Sequence, residues 1–361
     1  MKICVVEGDG IGPEITASTM AVMRIVDDLY KLGMEYEFDD IGFASLKKHG
    51  TTLRDETLDR ARKCDGIILG PQSHLDYPPR DQGGVNVSAG FRVKLDLYAN
   101  VRPARTRAGG LAKTDKHMDL VIMREATEGF YPDRNMVAGC GEFMPTEDIA
   151  LSVRKITAHA SNRIARRAFE LAQTRRKKVA AIHKANNFIL SDGLFLREVR
   201  KVAAEFPEVE LEEVIVDAMA AYLVRDPSRF DVIVATNFHA DILSDLASEL
   251  SGGLGLAGAI NAGDNLAAAQ AQHGSAPDIQ GQNKANPTSL ILSAGMLLKW
   301  LGDRHKRQNY CEAAACIEKA IDAVLADPST RTPDLGGPLG TDAFTECVLE
   351  KIKGMSSVAA A

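Results

Sequence analysis

Two aspartates in an acidic stretch have the type and spacing to bind a divalent cation. Residues 230–283 contain no Lys or Arg, and the segment from Ala240 reads as a helix start that places Asp241 and Asp245 on one face. Two such carboxylates repel unless a cation lies between them, and oxygen ligands without nearby His or Cys suit Mg²⁺ or Mn²⁺ better than Zn²⁺. The alternative is a solvated acidic helix start stabilised by its dipole. The buried stripe of this helix is predicted to be Ile242, Leu246 and Leu250.

Three arginines form a second candidate set. Arg124 ends a predicted strand, and Arg92 and Arg102 flank the segment Leu95 to Tyr98. A guanidinium group binds a carboxylate with two parallel hydrogen bonds, each contributing roughly 1.5–3 kcal/mol. Three converging arginines would therefore suit a di- or tricarboxylate. Surface salt bridges are the alternative that the residues alone leave open.

Two glycine-containing segments are candidates for contact with a cofactor. Gly8 to Glu14, with the sequence GDGIGPE, resembles a dinucleotide fingerprint, but Pro13 replaces its last small residue. We interpret it as a tight turn into a helix, with Pro13 near the first helical position. The second segment begins at His273 with the sequence HGSAPD, where small residues permit close backbone approach and Asp278 could accept hydrogen bonds from ribose hydroxyls.

The elements that must position these residues alternate between apolar runs and segments of helical period. This alternation predicts βαβ units and a mostly parallel sheet, in which ligands bind beyond the carboxyl ends of the strands. Polar residues follow every predicted strand, so the site is expected at that edge. The segment 135–148 is predicted to be irregular, either a surface loop or an interface arm. The predicted strands are Ile3–Val6, Gly66–Leu69, Leu120–Met123, Val179–Ile182, Val214–Val216 and Val232–Ala235.

Length and composition limit the classes of function. A chain of 361 residues predicts two domains, and a net charge of −6 argues against nucleic acid or a membrane surface as a partner. No signal peptide is recognisable at the N-terminus, and no apolar run reaches the roughly 18–20 residues of a membrane span. The six cysteines are scattered without metal-binding spacing, which predicts free thiols and a cytoplasmic location.

Nine ordered motifs together resemble the β-decarboxylating dehydrogenases. That family includes isocitrate, homoisocitrate, isopropylmalate and D-malate or tartrate dehydrogenases, and the likeness extends from Met1 to about Lys351. The motifs are GDGIGPE from Gly8, LDLYANVRPAR from Leu95, MREATEGFY from Met123, HKAN from His183, VDAMA from Val216, ADILSDLASEL from Ala240, HGSAPDI from His273, ANP from Ala285 and TPDLGGPLGT from Thr332.

The resemblance implies a fold and an activity. The fold would be α/β, with two domains, a mostly parallel sheet and no Rossmann topology. Residues 1–99 plus 252–361 would form the cofactor-side domain, and residues 100–251 a central domain with metal ligands and dimer contacts. The activity would be NAD-dependent, Mg²⁺- or Mn²⁺-assisted oxidative decarboxylation of a 3-substituted (2R)-malate-type 2-hydroxy acid, either homoisocitrate/isocitrate-like or isopropylmalate-like. A homodimer whose subunits share their sites would carry it out.

The resemblance also implies a role for individual residues. Tyr131 would protonate the enolate, and the second subunit would supply Lys184 near the C2 hydroxyl together with Asp217. The substrate would contact Ser88, Arg92, Arg102 and Arg124. The metal would be bound by Asp217, Asp241 and Asp245. The cofactor would contact Ile11, His273, Gly274, Ser275, Ala276, Pro277, Asp278 and Asn286.

Several positions bear on cofactor and substrate. Asp278 favours NAD, because a carboxylate accepts from ribose hydroxyls and repels the 2′-phosphate of NADP. Ser88 stands where isopropylmalate enzymes have an apolar residue, which favours a polar or small C3 substituent. Ala126, Gln270 and the pair His239-Ala240 also depart from the usual family residues.

The alternative functions are D-malate or tartrate dehydrogenase, and a weakly active or regulatory paralogue. Ala126 and Gln270 favour the paralogue, whereas Tyr131, Lys184 and the aspartates favour an active enzyme. A third class, NAD-dependent enzymes of related fold that act on phosphorylated substrates, uses metal-binding histidines, which the arginine and aspartate sets disfavour.

Overall fold

The computed structural model describes the backbone of residues 1–359 and the side chains of residues 1–355. Its elements are numbered in chain order. The strands are β1 Lys2–Val6, β2 Glu35–Asp39, β3 Gly66–Leu69, β4 Ala99–Arg105, β5 Asp119–Glu125, β6 Glu142–Thr146, β7 Ile149–Ser152, β8 Lys178–His183, β9 Glu210–Ile215, β10 Val232–Ala235, β11 Ile260–Ala262 and β12 Ala267–Gln270. The helices are α1 Gly12–Tyr30, α2 Gly42–His49, α3 Asp55–Arg62, α4 Val87–Lys94, α5 Ala158–Gln173, α6 Ser191–Ala203, α7 Val216–Arg225, α8 Asn237–Ser251, α9 Thr288–His305, α10 Gln308–Ala326 and α11 Thr341–Ala359.

The chain divides into two compact units. Unit 1 consists of Met1–Leu95, Arg107–Leu111 and the chain from Gly252 onward, and unit 2 consists of Asp96–Thr106 and Ala112–Ser251. The assignment of a cofactor-side role to one unit and of dimer contacts to the other stays a prediction.

Unit 1 is built on strands paired in the order β2-β1-β3-β12-β11. All neighbours are parallel except β11 and β12. Every residue of β3 is buried, as expected for a parallel strand covered on both faces. Helix α9 packs on β3 and β12, and α1 and α10 pack against α9.

Unit 2 contains strands paired in the order β4-β5-β10-β8-β9. Only β4 is antiparallel to its neighbour β5. Alternate residues of β10 enter two different cores, because successive side chains of a strand point to opposite faces. Val232 and Val234 pack with α5 and α6, whereas Ile233 and Ala235 pack with α7 and α8. The predicted mostly parallel α/β fold is confirmed.

The prediction of a buried strand at Val214–Val216 is wrong. Strand β9 ends at Ile215, and Val216 begins α7. Only Val214 of β9 is fully buried. The reason is position: β9 lies at the edge of the strand order, where its only neighbour is β8.

Two details of α8 also differ from the prediction. The helix begins at Asn237, three residues before Ala240. Ile242 is 57% exposed, so it does not belong to the buried stripe. Ala240, Leu243 and Ala247 form the buried face, and the predicted Leu246 and Leu250 are partly buried and pack against the same core. Small side chains permit the close approach of α8 to β4 and β5.

Strands β6 and β7 form an antiparallel ribbon within unit 2, in and beyond the segment predicted to be irregular. Every side chain of the two strands is exposed, including those of Phe143, Met144, Ile149 and Leu151. Among residues 1–359, no helix has the length and apolar character needed to cross a membrane. All six cysteines lie in the described part of the chain and are free.

Candidate functional site

Two neighbouring strands of unit 2 carry Arg102 and Arg124. Both guanidinium groups are nearly buried, with side chains 7% and 3% exposed. The Nε of Arg102 donates to Asn100 Oδ1 at 2.6 Å, and the Nε of Arg124 donates to Asn237 Oδ1 at 2.7 Å. These hydrogen bonds fix the orientation of each guanidinium group and leave its Nη atoms directed at α8.

Helix α8 presents two carboxylates to those Nη groups. The Nη1 of Arg102 lies 3.5 Å from Asp241 Oδ1 and 3.2 Å from Asp245 Oδ1, and Arg124 Nη1 contacts Asp241 Oδ1. Ser244 Oγ also accepts from Arg102, at 2.7 Å. Asp241 and Asp245 therefore share one helix face, but the assumption that their charges are uncompensated is wrong. Their counter-charges come from β4 and β5, outside the acidic segment.

The electrostatics of this cluster are set mainly by burial. The pKa of Arg102 is lowered to about 10, mainly by burial and secondly by the positive charge of Arg124. The negative charges of Asp241 and Asp245 act in the opposite direction. Two buried cations side by side are thus held together by the carboxylates of α8.

Tyr131 lies against the same cluster. Its hydroxyl donates to Asp241 Oδ2 at 2.5 Å and accepts from Arg124 Nη2 at 3.3 Å. Burial raises the pKa of Tyr131 to about 12; the charge of Asp241 also raises it, whereas that of Arg124 lowers it. The phenol is therefore protonated at neutral pH and can act as a proton donor.

The carboxylates of α8 fit a hard divalent cation only in part. Asp241 and Asp245 offer oxygen donors with side chains 35% and 51% exposed. Within residues 1–359 of one chain, no group of three or more His, Cys, Asp or Glu side chains is placed to hold a metal ion. A single chain thus brings together two of the three predicted metal ligands, Asp241 and Asp245. The third, Asp217, is not grouped with them in the same chain.

Lys184 and Asp217 form a separate pair in unit 2. Lys184 follows β8, Asp217 lies in the first turn of α7, and Nζ is 2.5 Å from Oδ1. The hydrogen bond from Lys184 lowers the pKa of Asp217. The backbone of Lys184 is held by the buried Asp192, whose carboxylate accepts from its N–H at 2.5 Å and pairs with Arg154 at 2.6 Å.

Ser88 and Arg92 lie on one face of α4 in unit 1. Asn86 caps the helix by accepting from the N–H of Ala89 at 3.0 Å. Both Ser88 and Arg92 contact the buried Gln270 at the end of β12.

Two of the predicted cofactor-binding segments touch each other in unit 1. The N–H of Ile11 donates to the carbonyl of Ser275 at 2.8 Å, and Ser275 Oγ lies 2.7 Å from Ser73 Oγ. Gly10 is required here: it has φ +58°, and a Cβ on it would lie 2.0 Å from the Ser275 oxygen.

The rest of the 273–278 loop is open for backbone contact. No atom lies within 4 Å of a Cβ placed on Gly274, and Asp278 is exposed in a short 3₁₀ turn. His273 Nδ1 lies 2.8 Å from the carbonyl of Gly274, and burial lowers the pKa of this histidine. Asn286 Nδ2 donates to Asp334 Oδ2 at 3.0 Å.

A cavity of about 320 Å³ adjoins the GDGIGPE turn, within the size range of small-molecule sites. None of the predicted cofactor residues lines it. It is lined by Gly10, Pro13, Glu14, Gln280, Gly281, Asn283 and Asp342.

Sequence reasoning missed the neutral residues that orient the charged ones. Asn100 is two residues before Arg102 in β4, and strand alternation places both on the same face, so that signal was present. The contacts of Asn237 and Gln270 could not be predicted in this way, because they cross from one element to another. Gln270 was noted only as a departure from the usual family residues.

Comparisons with known proteins identify the class. The family model described as isocitrate/isopropylmalate dehydrogenase matches residues 2–351. The chain is 42% identical to an isocitrate/homoisocitrate dehydrogenase of Thermus thermophilus, covering 98% of this chain and 99% of that protein. It is 40% identical to a 3-isopropylmalate dehydrogenase of Archaeoglobus fulgidus, covering 95% and 97%. The crystal structure of isocitrate dehydrogenase from Methylococcus capsulatus superposes with a TM-score of 0.87 at 37% identity, covering 98% and 99%.

The chain belongs to the isocitrate/isopropylmalate dehydrogenase family. It is accordingly an enzyme, a decarboxylating dehydrogenase that acts on a hydroxy acid. The family uses a nicotinamide cofactor and a divalent metal.

Proposed function

We propose that the protein catalyses NAD-dependent, Mg²⁺- or Mn²⁺-assisted oxidative decarboxylation of a (2R)-malate-type hydroxy acid with a polar or small C3 substituent. Isocitrate-like and homoisocitrate-like acids are the first candidates. The observation that carries this proposal is the contact of Arg102, Arg124 and Tyr131 with Asp241 and Asp245 in unit 2. Anion binding, proton donation and cation binding each have their residue types in that one cluster.

The arginine pairs suggest how substrate binds. Because Asn100 and Asn237 hold the Nε atoms, a substrate carboxylate competes with Asp241 and Asp245 for the Nη donors. As it takes them, the aspartates exchange arginine for the divalent cation. Each arginine would then keep a carboxylate partner and each aspartate a cation, so binding would not leave a buried charge without a partner. Arg92 of α4 is proposed as the third arginine of the set.

Asp241 and Asp245 of one chain, with Asp217 supplied by a second subunit, would hold the cation. When bound, the cation would supply Lewis-acid polarisation of the C2 oxygen and the nicotinamide would serve as hydride acceptor. Lys184 of the second subunit takes the proton of the C2 hydroxyl, directly or through a water. After CO₂ leaves, the protonated phenol of Tyr131 delivers its proton to the enolate carbon. The raised pKa of Tyr131 keeps that proton available at neutral pH.

NAD is proposed to bind in unit 1. Ile11, Asn286 and the loop 273–278 offer backbone and amide groups, and the exposed carboxylate of Asp278 accepts from the ribose hydroxyls. The same carboxylate repels the 2′-phosphate of NADP.

A homodimer is part of the proposal. The ribbon of β6 and β7 exposes large apolar side chains, among them Phe143 and Met144 at 49% and 63%. Contiguous exposed apolar surface of this kind marks interfaces. We propose that the ribbon covers its counterpart in a second copy, the arrangement that lets subunits share Lys184 and Asp217.

A substrate panel tests the proposal. Isocitrate, homoisocitrate, 3-isopropylmalate, D-malate and D-tartrate are compared by NADH formation at one Mg²⁺ concentration, for wild type and Ser88→Leu. A hydroxyl left unpaired against a buried isopropyl group costs roughly 1–3 kcal/mol, so wild type should use 3-isopropylmalate less well than substrates with a polar or small C3 group. Ser88→Leu should shift the preference towards it. A wild type that prefers 3-isopropylmalate and is indifferent to the substitution would contradict the proposal.

A further inference from the structure

Arg154 is a buried arginine in the segment between β7 and α5 of unit 2. Its side chain is 6% exposed, and its Nη1 lies 2.6 Å from Oδ1 of Asp192, whose side chain is fully buried. Its Nη1 donates to Ser191 Oγ at 3.2 Å, and its Nη2 donates to Thr236 Oγ1 at 3.0 Å, directly before α8. One guanidinium group therefore contacts the start of α6 and the residue that leads into α8.

Two aromatic rings contact the same guanidinium group. Its Cζ lies 5.3 Å from the ring centroid of Phe130 and 5.2 Å from that of Phe188. A cation within about 6 Å of an aromatic face is attracted by the ring quadrupole. The neighbouring backbone is also fixed, because Lys155 and Gly129 each donate their N–H to the carbonyl of the other at 3.0 Å. The arginine is thereby attached to the loop that leads into Tyr131.

The contacts of Arg154 converge on two segments that carry proton-transfer groups of the proposed reaction. Phe130 immediately precedes Tyr131. Asp192 accepts from the N–H of Lys184 at 2.5 Å, so it fixes the backbone from which the lysine side chain extends. A single side chain therefore holds two segments, each of which presents one proton-transfer group.

Stability alone does not account for a buried ion pair of this kind. Taking two charges out of water costs about as much as their attraction returns, and apolar residues of similar volume are often equally stabilising. What the pair adds is direction, because Asp192 uses one carboxylate oxygen for Arg154 and the other for Lys184. The buried charges thus specify where the segment after β8 lies.

We propose that Arg154 is a positioning residue that joins the segment of Tyr131 to the segment of Lys184, and thereby joins the two active sites of a dimer. This inference rests on the proposed function, in which Tyr131 serves the site of its own subunit and Lys184 serves the site of the second subunit. Loss of the guanidinium group should impair both proton transfers. Substrate binding should be spared, because Asn100 and Asn237 still hold the arginines of the proposed anion site.

The test uses mixed dimers in which only one site can be active. A Lys184→Ala chain still supplies Tyr131, and a Tyr131→Phe chain still supplies Lys184, so each heterodimer has one intact hybrid site and both homodimers are inactive. Arg154→Met is then added to one chain at a time. NADH formation is measured with Mg²⁺, NAD and the panel acid that wild type oxidises fastest. The rates are divided by the heterodimer fraction, which native mass spectrometry measures.

Arg154→Met should lower kcat of the hybrid site at least about tenfold in either chain, since a displacement of about 1 Å can cost about a hundredfold in rate. In the Lys184→Ala chain the substitution releases the segment of Tyr131, and in the Tyr131→Phe chain it releases the segment of Lys184. The KM values for the hydroxy acid and for NAD should stay within about twofold of those of the unmodified mixture.

Two further variants separate positioning from folding. Phe130→Leu removes the aromatic face but leaves Arg154 paired with Asp192, so it should lower kcat only in the chain that supplies Tyr131. Arg154→Met combined with Asp192→Asn leaves no buried charge without a partner, and the introduced amide can still accept from the N–H of Lys184. This double variant should therefore fold, and it should lower kcat more in the chain that supplies Tyr131 than in the chain that supplies Lys184.

Arg166→Met is the matched control. Arg166 lies on α5 and pairs with Glu205, and the two side chains are 39% and 52% exposed. The substitution removes the same charge from the same unit. Because exposed ion pairs contribute little, it should leave kcat within about twofold of the unmodified mixture in either chain.

Each outcome separates the inference from the proposed function. A wild type that oxidises none of the panel acids overturns both. An unmodified mixture that stays inactive despite demonstrated subunit exchange overturns the joining of two sites and leaves oxidative decarboxylation intact. An unchanged kcat for Arg154→Met in either chain, equal losses for Phe130→Leu in the two chains, or an equal loss for Arg166→Met overturns the role of Arg154 alone.

Discussion

Asp241 and Asp245 allow a matched comparison, because the same substitution can be made one helical turn apart on α8. Asp241→Asn removes a carboxylate that contacts Arg124, Arg102 and Tyr131. Asp245→Asn removes one whose ion pair is with Arg102, at 3.2 Å. Both changes remove a proposed metal ligand, so both should abolish turnover. Their effects on folding stability should differ.

The size of each stability loss follows from how deeply the ion pair is buried. Removing one partner of a fully buried ion pair costs about 3–5 kcal/mol, whereas an exposed pair contributes about 0–1 kcal/mol. The guanidinium of Arg124 is 3% exposed and the carboxylate of Asp241 is 35% exposed, which places this pair between the limits. We expect Asp241→Asn to lower the free energy of unfolding by about 2–3 kcal/mol. Asp245 is 51% exposed, and its substitution should cost less than about 1 kcal/mol.

Urea denaturation at pH 7 with excess chelator measures both variants without any contribution from bound metal. The free energy of unfolding should fall clearly in Asp241→Asn and only slightly in Asp245→Asn. Its dependence on urea concentration should stay unchanged in both variants. Equal losses, or a larger loss for Asp245→Asn, would refute the argument that Asp241 holds the buried arginines in place. Turnover retained by either variant would refute its role as a metal ligand.

Three further predictions concern the sharing of active sites between subunits, the choice of cofactor and the pH dependence of stability. Mixing inactive Lys184→Ala chains with inactive Tyr131→Phe chains should restore activity, because one site of each heterodimer holds both intact groups. If activity does not recover although subunit exchange is proven, Lys184 and Tyr131 of the same chain act in one site. Wild type should favour NAD over NADP by at least about tenfold in kcat/KM, and Asp278→Lys should reduce or reverse that preference. Equal kcat/KM for the two cofactors in the wild type would exclude Asp278 as the ribose ligand. Burial raises the pKa of Glu128 from 4.5 to about 7, so its ionisation destabilises the folded state as pH rises through that window. Glu128→Gln should therefore gain stability relative to wild type between pH 5 and pH 8, and thermal denaturation that gives the same difference at both pH values would contradict this.

The central strands could be predicted from the sequence because parallel strands covered on both faces are continuous apolar runs. The runs Gly66–Leu69 and Val232–Ala235 match β3 and β10 at both ends. Strand β9 could not be placed correctly, since only Val214 of it is fully buried and its pattern depends on which neighbours it has. The stripe on α8 was predicted in part: Leu246 and Leu250 do pack against the core, but the small residues Ala240 and Ala247, rather than Ile242, take the fully buried face.

The candidate site could be predicted as residue types but not as pairings. The spacing of Asp241 and Asp245 predicted one shared helix face, which the structure has. It could not predict that Arg102 and Arg124 would be their counter-charges, because these arginines lie more than a hundred residues earlier in the chain. The contact of Gln270 with Arg92 likewise arises only from the fold, because the two residues are 178 positions apart in the chain.

The most direct test of the central claim measures NADH and CO₂ in the same reaction, with isocitrate as substrate, before and after removal of divalent metal. Metal-assisted oxidative decarboxylation should give equimolar NADH and CO₂, loss of both on chelation, and recovery of both with Mg²⁺ or Mn²⁺. NADH formed without CO₂, or full activity after exhaustive chelation, would contradict metal-assisted oxidative decarboxylation.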